Sequence, residues 1–386
     1  MRFEFATATR IIFGQGTLQE VAPLAAGMGN RALVVTGSSL ERSLSLLSQL
    51  REHRIEPVTF HVPGEPTTDI ALAGVRTARE AECDLVIGLG GGSVLDTGKV
   101  IAALLTNRGD LMDYLEIIGR GQPITWPSAP YIAIPTTAGT GAEVALNAVL
   151  ISPVHKVKIS MRSPLMAARL AVVDPALTYT MPPSITASTG LDALTQLIEP
   201  YVSLKANPLT DGICREGMQR VARSLRHVYE NGNDEAGRED MALASLFGGL
   251  ALANAKLGAV HGLAGPLGGM ISAPHGVVCA RLLPLVMEAN LDALQSRSPG
   301  SFALMRYHEI ARILTGKAAA QAADGIVWVK ELCTALHIPN LHEFGLTEED
   351  FPSAVDKAQK ASSMKGNPII LTAEELTRIL REAAFG

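Results

Sequence analysis

Much of what defines other protein classes is missing from this chain. Its four cysteines, Cys83, Cys214, Cys279 and Cys333, form no CxxC pair. That argues against a disulfide framework or a zinc knuckle and for free thiols in a reducing compartment. No stretch reaches the roughly 18 apolar residues of a membrane span. The opening MRFEFATATR lacks a long apolar core and does not read as a secretory signal. No block of like charge occurs, and a formal net charge of −5 leaves no footprint for nucleic acid or a membrane surface. Internal repeats and low-complexity tracts are also absent. The expectation is a cytoplasmic protein.

What is present is a well-buried globular chain, 47% hydrophobic and 18% charged. Its 386 residues exceed one ordinary core, so two domains are expected. The first half alternates short apolar runs with helical patterns. RALVVTG (31–37), PVTFHV (57–62), DLVIGLG (84–90) and YIAIPT (131–136) read as strands. Between them, leucines at 40, 44, 46, 47 and 50, the Ala-rich stretch 68–82 with Thr67 or Thr68 as N-cap, and 93–105 read as helices. This alternation predicts a parallel sheet with helices on its faces. AVLIS (148–152), KVKIS (156–160) and LAVVDP (170–175) read as further strands.

Beyond MPPS (181–184) strand signals nearly vanish. Helical patterns take over at 186–203, 208–230, 238–263, 276–292, 303–316, 320–337, 348–361 and 373–384, with Pro200 expected to end or kink the first. The fold class is therefore an α/β domain over 1–180 followed by an all-α domain over 181–386, with a cleft expected between them.

Two common nucleotide fingerprints are missing: the first strand-to-helix turn, TGSSL (36–40), carries no GxGxxG, and no GxxxxGK[ST] occurs. Strand 84–90 instead runs into GGSVLDTGK (91–99). Gly90, Gly91 and Gly92 let the backbone approach a ligand closely, and Ser93 opens a helix whose N-terminus suits an anion such as a pyrophosphate. A ligand-free tight turn is the competing reading. Asp96 and Lys99, at i and i+3, read as a surface pair. A second small-residue loop, TTAGTGAEV (136–144), follows the next strand and is placed to help hold the same ligand. In the helical half, Asp192 and Gln196 share a helix face, and His261 and His275 flank a glycine-containing bend. The aspartate and both histidines are residue types that can meet on one divalent ion, although each histidine taken alone reads sooner as a core or cap residue.

In GLGGGSVLDTGK (88–99), PTTAGTGAEV (135–144), VVDPAL (172–177), GLDALTQLIE (190–199), HGLAGPLGG (261–269) and PHG (274–276) the chain resembles the iron-containing, or group III, alcohol dehydrogenases. These share their fold with dehydroquinate synthase and glycerol dehydrogenase. The resemblance implies a dinucleotide-binding domain followed by a metal-bearing helical domain. It implies that Gly91, Gly92 and Ser93 hold the pyrophosphate and that Asp96, Thr136, Thr137, Thr140, Lys158 and Leu177 line the rest of the cofactor site. Asp192, His261 and His275 match three of four family metal ligands, for iron or zinc. His261 and His275 are the candidate catalytic residues.

Three departures from the family stand out. Gln196 occupies the fourth ligand position, where the family usually has histidine; an amide oxygen is the poorer ligand, so the site is weakened, retuned or empty. Gly265 stands where many members carry a second histidine often discussed as a proton relay, leaving solvent or a ribose hydroxyl to complete proton transfer. The first strand ends in Gly37, Ser38 and Ser39 without the aspartate that NAD-selective members place there, and Arg42 lies one turn on. This tilts the expected cofactor from NAD towards NADP or dual use.

The expected reaction is hydride transfer between NAD(P) and a small alcohol, aldehyde or ketone, assisted by a metal, in a homodimer or higher homo-oligomer. The alternatives are a metal-independent reductase resembling maleylacetate reductases, with His261 or His275 polarising the carbonyl, and a nucleotide-binding protein that has lost its chemistry. A lyase resembling dehydroquinate synthase is disfavoured, because few basic residues flank the site.

Overall fold

The computed structural model describes residues 2–39, 41–155 and 157–386. The chain divides into two compact units. One is built from Phe5–Thr137 and Gly141–Thr178, the other chiefly from Tyr179–Gly386 with Ala138–Thr140.

In the first unit, β1 (Ile11–Phe13), α1 (Val21–Ala25), β2 (Arg31–Thr36), α2 (Glu41–Glu52), β3 (Glu56–His61), α3 (Thr68–Glu80), β4 (Leu85–Gly90), α4 (Gly92–Thr106), α5 (Leu111–Tyr114), β5 (Tyr131–Pro135), β6 (Asn147–Ser152), β7 (Val157–Arg162) and β8 (Leu170–Val173) follow one another. Six strands make a parallel sheet in the order β1-β8-β5-β4-β2-β3. The residues of β4, β5 and β8 are all buried, as a parallel sheet covered on both faces requires. β3, at the edge, has only exposed and half-buried positions. Edge strand β1 escaped the sequence reading because three residues carry too little pattern.

The two strands read at 148–152 and 156–160 do not join this sheet. β6 and β7 form a separate antiparallel ribbon. Lys156, where the second was expected to start, and Leu40 of the helical leucine pattern lie outside the described residues.

The second unit contains α6 (Pro183–Val202), α7 (Pro208–Glu230), α8 (Glu235–Asn254), α9 (Ala259–Met270), α10 (His275–Arg297), α11 (Phe302–Thr315), α12 (Ala322–Ala335), α13 (Phe351–Lys360) and α14 (Ala373–Phe385). Pro200 sits inside α6, which ends two residues later at Val202. The pattern at 238–263, expected to be one helix, is two. α8 and α9 meet at 97° across residues 255–258. The cause is long-range: the N–H of Ala259 donates to Asn367 Oδ1 at 3.1 Å and that of Val260 to Glu199 Oε1 at 2.7 Å. These two side chains satisfy the start of a new helix. They also need glycine at 258, since a Cβ there would lie 2.8 Å and 2.9 Å from the same oxygens. No single helix among the described residues is long and apolar enough to cross a membrane.

Candidate functional site

In the α/β unit the two strands that follow β2 in sequence lie on opposite sides of it. β2 runs through α2 to β3 on one side, and α3 then crosses back to β4 on the other. The carboxyl ends of β2 and β4 therefore flank the topological switch point of the sheet, where open α/β folds bind their ligands. Gly37 follows β2 there, and Gly90 ends β4. Both pack on Val94, in the first turn of α4. A Cβ at Gly90 would lie 2.6 Å from Val94 Cγ2, and one at Gly37 3.7 Å from the same atom. Gly90 is thus demanded by internal packing as well as by any ligand.

Gly91 caps α4, Gly92 and Ser93 begin it, and helix geometry leaves the N–H groups of these first residues without intrahelical acceptors. The 136–137 segment closes beside them. Thr136 N–H donates to Gly90 O at 3.0 Å, and a Cβ on Gly91 would lie 3.3 Å from Thr137 Cγ2. Ser38 is exposed. Leu177 packs against the core of the sheet. Lys158 Nζ pairs with Glu65 Oε2 at 3.0 Å. Thr140 belongs to the helical unit.

Asp96 and Lys99 are not the surface pair the sequence suggested. Lys99 is fully buried, donating to the carbonyls of Ala142 at 2.8 Å and Asn147 at 2.7 Å, with Asp96 Oδ1 3.7 Å away. Asp96 Oδ2 accepts the N–H of Val149 at 3.0 Å. The pair ties α4 to the second glycine loop and to β6. Desolvation lowers the Lys99 pKa and raises that of Asp96, each opposed by the charge of the other. Burial also pushes neighbouring Glu143 up to about 7, against the pull of its own backbone N–H and of Lys99.

The helical unit holds the second constellation. α6 is buried from Thr186 to Val202 except at Thr189, yet Asp192, Gln196 and Glu199 line one of its faces at i, i+4 and i+7. Polar groups so placed must find partners. His261 comes from the first turn of α9; His275 and Cys279 stand one turn apart on α10. One donor atom from each of Asp192, His261, His275 and Cys279 lies within 4.8 Å of the other three.

Asp192 Oδ1 is 3.6 Å from His261 Nε2 and 3.9 Å from His275 Nε2, beyond hydrogen-bond distance. Cys279 Sγ lies 3.8 Å and 3.5 Å from the same two nitrogens. His261 donates from Nδ1 to Glu199 Oε2 at 2.7 Å, which turns Nε2 towards Asp192. Gln196 Nε2 donates to Asp192 Oδ2 at 3.0 Å and to Gly139 O at 3.3 Å.

Burial works to lower the His261 pKa, but Cys279, Asp192 and Glu199 outweigh it and hold it well above the ordinary histidine value. Burial would raise the Asp192 pKa, but its interactions with His261 and His275 hold it below the ordinary value. Burial pushes the Cys279 thiol up to about 12. Asp192 Oδ1 and Gln196 Oε1 are buried without a hydrogen-bond partner. An orphaned carboxylate oxygen facing two imidazole nitrogens and a sulfur is a donor set that fits a divalent cation.

Cys279 and Glu199 were both missed in the sequence. The His-x-x-x-Cys spacing at 275–279 puts both side chains on one helix face, and Glu199 continues the stripe of Asp192 and Gln196. Both signals were legible, but neither says what the face meets.

Comparison with known proteins agrees with this architecture. Residues 8–175 match the family described as iron-containing alcohol dehydrogenase, and 186–384 the C-terminal domain of the Fe-containing alcohol dehydrogenase family. The chain is 34% identical to alcohol dehydrogenase 4 of Saccharomyces cerevisiae, over 96% of both chains. It is 36% identical to 1,3-propanediol dehydrogenase of Klebsiella pneumoniae, over 92% of both. A crystal structure of 1,3-propanediol oxidoreductase superposes with a TM-score of 0.91 at 33% identity, covering 99% of this chain and 100% of that one. Sulfoacetaldehyde reductase from Bifidobacterium kashiwanohense, solved in complex with NAD+, superposes with a TM-score of 0.86 at 27% identity, covering 100% and 99%. The chain belongs to the iron-containing alcohol dehydrogenase family and is an oxidoreductase that interconverts an alcohol and its carbonyl compound.

Proposed function

We propose that the enzyme transfers hydride between NAD(P) and a small alcohol, aldehyde or ketone, with a divalent metal at Asp192, His261 and His275. The observation that carries the reading is the orphaned Asp192 Oδ1, buried and facing both histidines. Bound there, a divalent cation supplies Lewis-acid stabilisation of the negative charge that develops on the substrate oxygen. Asp192 contributes a fixed negative charge, and Gln196 holds its other oxygen. Glu199 fixes the ring of His261 with Nε2 directed inward. Gly265, one turn after His261, faces open space, with no atom within 4 Å of where a Cβ would stand. That space suits the solvent that would carry the proton.

The switch-point crevice would hold the cofactor, with Gly91, Gly92 and Ser93 at the first turn of α4 receiving its pyrophosphate. Gly37, Ser38 and Ser39 offer no carboxylate against a 2′-phosphate, so NADP is accepted at least as well as NAD. Asp96 acts indirectly, by fixing α4 and β6.

The deciding experiment measures metal content together with NADH- and NADPH-dependent turnover, before and after stripping the protein. Activity lost on stripping and restored on refilling is the expected result. Full activity in metal-free protein overturns the reading and moves carbonyl polarisation to hydrogen bonds from His261 and His275.

A further inference from the structure

The sequence suggests a metal centre missing one imidazole, because residue 196 is glutamine. In the structure Gln196 is turned to another task. Both partners of its Nε2, Asp192 Oδ2 and Gly139 O, are acceptors, which assigns the amide nitrogen to that end. Its effect is to hold the second oxygen of Asp192, leaving Oδ1 directed at the histidines.

A fourth donor comes from another element. Cys279 is fully buried. Its sulfur contrasts with that of Cys333, which donates to the carbonyl of Ala280 at 3.4 Å as an ordinary core thiol does. Cys279 Sγ has the two ring nitrogens of His261 and His275 at 3.8 Å and 3.5 Å. Together with the Asp192 Oδ1 separations of 3.6 Å and 3.9 Å, four of the six donor–donor distances are fixed. A tetrahedral zinc ion with bonds of about 2.0–2.1 Å to N and O and about 2.3 Å to S places its donors roughly 3.3–3.6 Å apart. These four separations need to close by at most about half an ångström, and the other two lie within 4.8 Å. The orphaned Asp192 Oδ1 is an independent sign that the group is built for a cation rather than for its own hydrogen bonds.

We propose that Asp192, His261, His275 and Cys279 form one four-donor centre, in which the Cys279 thiolate replaces the imidazole that position 196 lacks, and that this centre takes zinc in preference to iron. The proposal rests on the metal-assisted reading above, and a zinc ion so held would act on the substrate oxygen by expanding to a fifth donor. A soft sulfur donor shifts selectivity towards zinc. Binding converts the thiol to a thiolate and releases its proton to solvent, with no change of oxidation state. Gln196 is a positioning residue that acts through Asp192.

Cobalt(II) is the probe, because a thiolate bound to it gives a charge-transfer absorption in the near ultraviolet that nitrogen and oxygen ligands do not. Stripped wild-type enzyme loaded with one equivalent of Co2+ is expected to show that absorption. Cys279→Ser is expected to lose it and to bind zinc about 10–100-fold more weakly. Its preference for zinc over iron should fall as well. Gln196→Ala is expected to keep the absorption.

Stoichiometric cobalt in the wild type without the absorption overturns the thiolate ligand and leaves the metal-assisted reading standing. Absorption that survives in Cys279→Ser overturns it too. A wild-type enzyme that binds neither Co2+ nor Zn2+ yet turns over with NAD(P)H overturns both. The wild-type spectrum decides the matter even if a variant does not fold.

Discussion

Glu199 holds His261 and the helix that carries it at the same time. Oε1 accepts the N–H of Val260 and Oε2 the Nδ1–H of His261, each at 2.7 Å. One carboxylate on α6 thus starts α9 at the required place and sets the tautomer of the histidine on it. Glu199→Gln leaves one of these donors facing an amide N–H. A stability loss of about 1–3 kcal/mol is expected from the unsatisfied group. Metal affinity should fall about 10–100-fold, as for other partners that orient a ligand. Zinc competition against a chromophoric chelator measures this; unchanged affinity would show that His261 needs no orienting partner.

Gly90 and Val94 make a second coupled pair. Gly90→Ala drives a methyl group to 2.6 Å from Val94 Cγ2. The expected cost is about 1–3 kcal/mol of stability from overpacking, with weaker NAD(P) binding. Because the obstacle is one side chain, Val94→Ala in the same protein should recover part of the stability. A double-mutant cycle by urea unfolding reports the coupling. Strict additivity would mean that the glycine serves the ligand alone.

Glu143 sets a pH dependence. Burial raises its pKa from 4.5 to about 7. Between these values the folded state holds a proton that the unfolded state has released, so stability falls as pH rises through the window. The full shift amounts to about 3 kcal/mol. Glu143→Gln keeps the shape and removes the titration. Relative to wild type it should gain stability steadily from about pH 4.5 to 7 and level off above. Urea midpoints for both proteins across that range test it, and parallel pH profiles would sink it.

Cofactor choice is addressed at Gly37. Its φ is not left-handed, and an added Cβ meets only ordinary contact with Val94. Gly37→Asp should therefore be tolerated while placing a carboxylate at the end of β2. Repulsion of a 2′-phosphate at this half-buried position is expected to lower kcat/KM for NADPH about tenfold relative to NADH. Equal losses for both cofactors would show that the 2′-phosphate binds elsewhere.

The parallel strands and most helices were legible because their signals are local. A continuous apolar run flanked by glycine announces a buried strand, and glycines after it announce the approach of backbone to an anion. Asp192, His261 and His275 were legible through motif resemblance, and the structure brings the three together. The break between α8 and α9 was invisible, since the acceptors that start the new helix come from Glu199 and Asn367, far along the chain. Lys99 looked like a surface residue because its partners are backbone carbonyls, which every sequence possesses and none advertises.

Most elements and their order, the glycine loops, the family and the three residues Asp192, His261 and His275 are readable from the sequence. Each depends on residues near one another or on a short motif. Tertiary packing alone shows that Gln196 faces Asp192, that Glu199 grips His261 and that Cys279 lies within 4.8 Å of the other three donors. Periodicity says which side chains share a helix face, whereas the packing of α6, α9 and α10 against one another decides what that face meets.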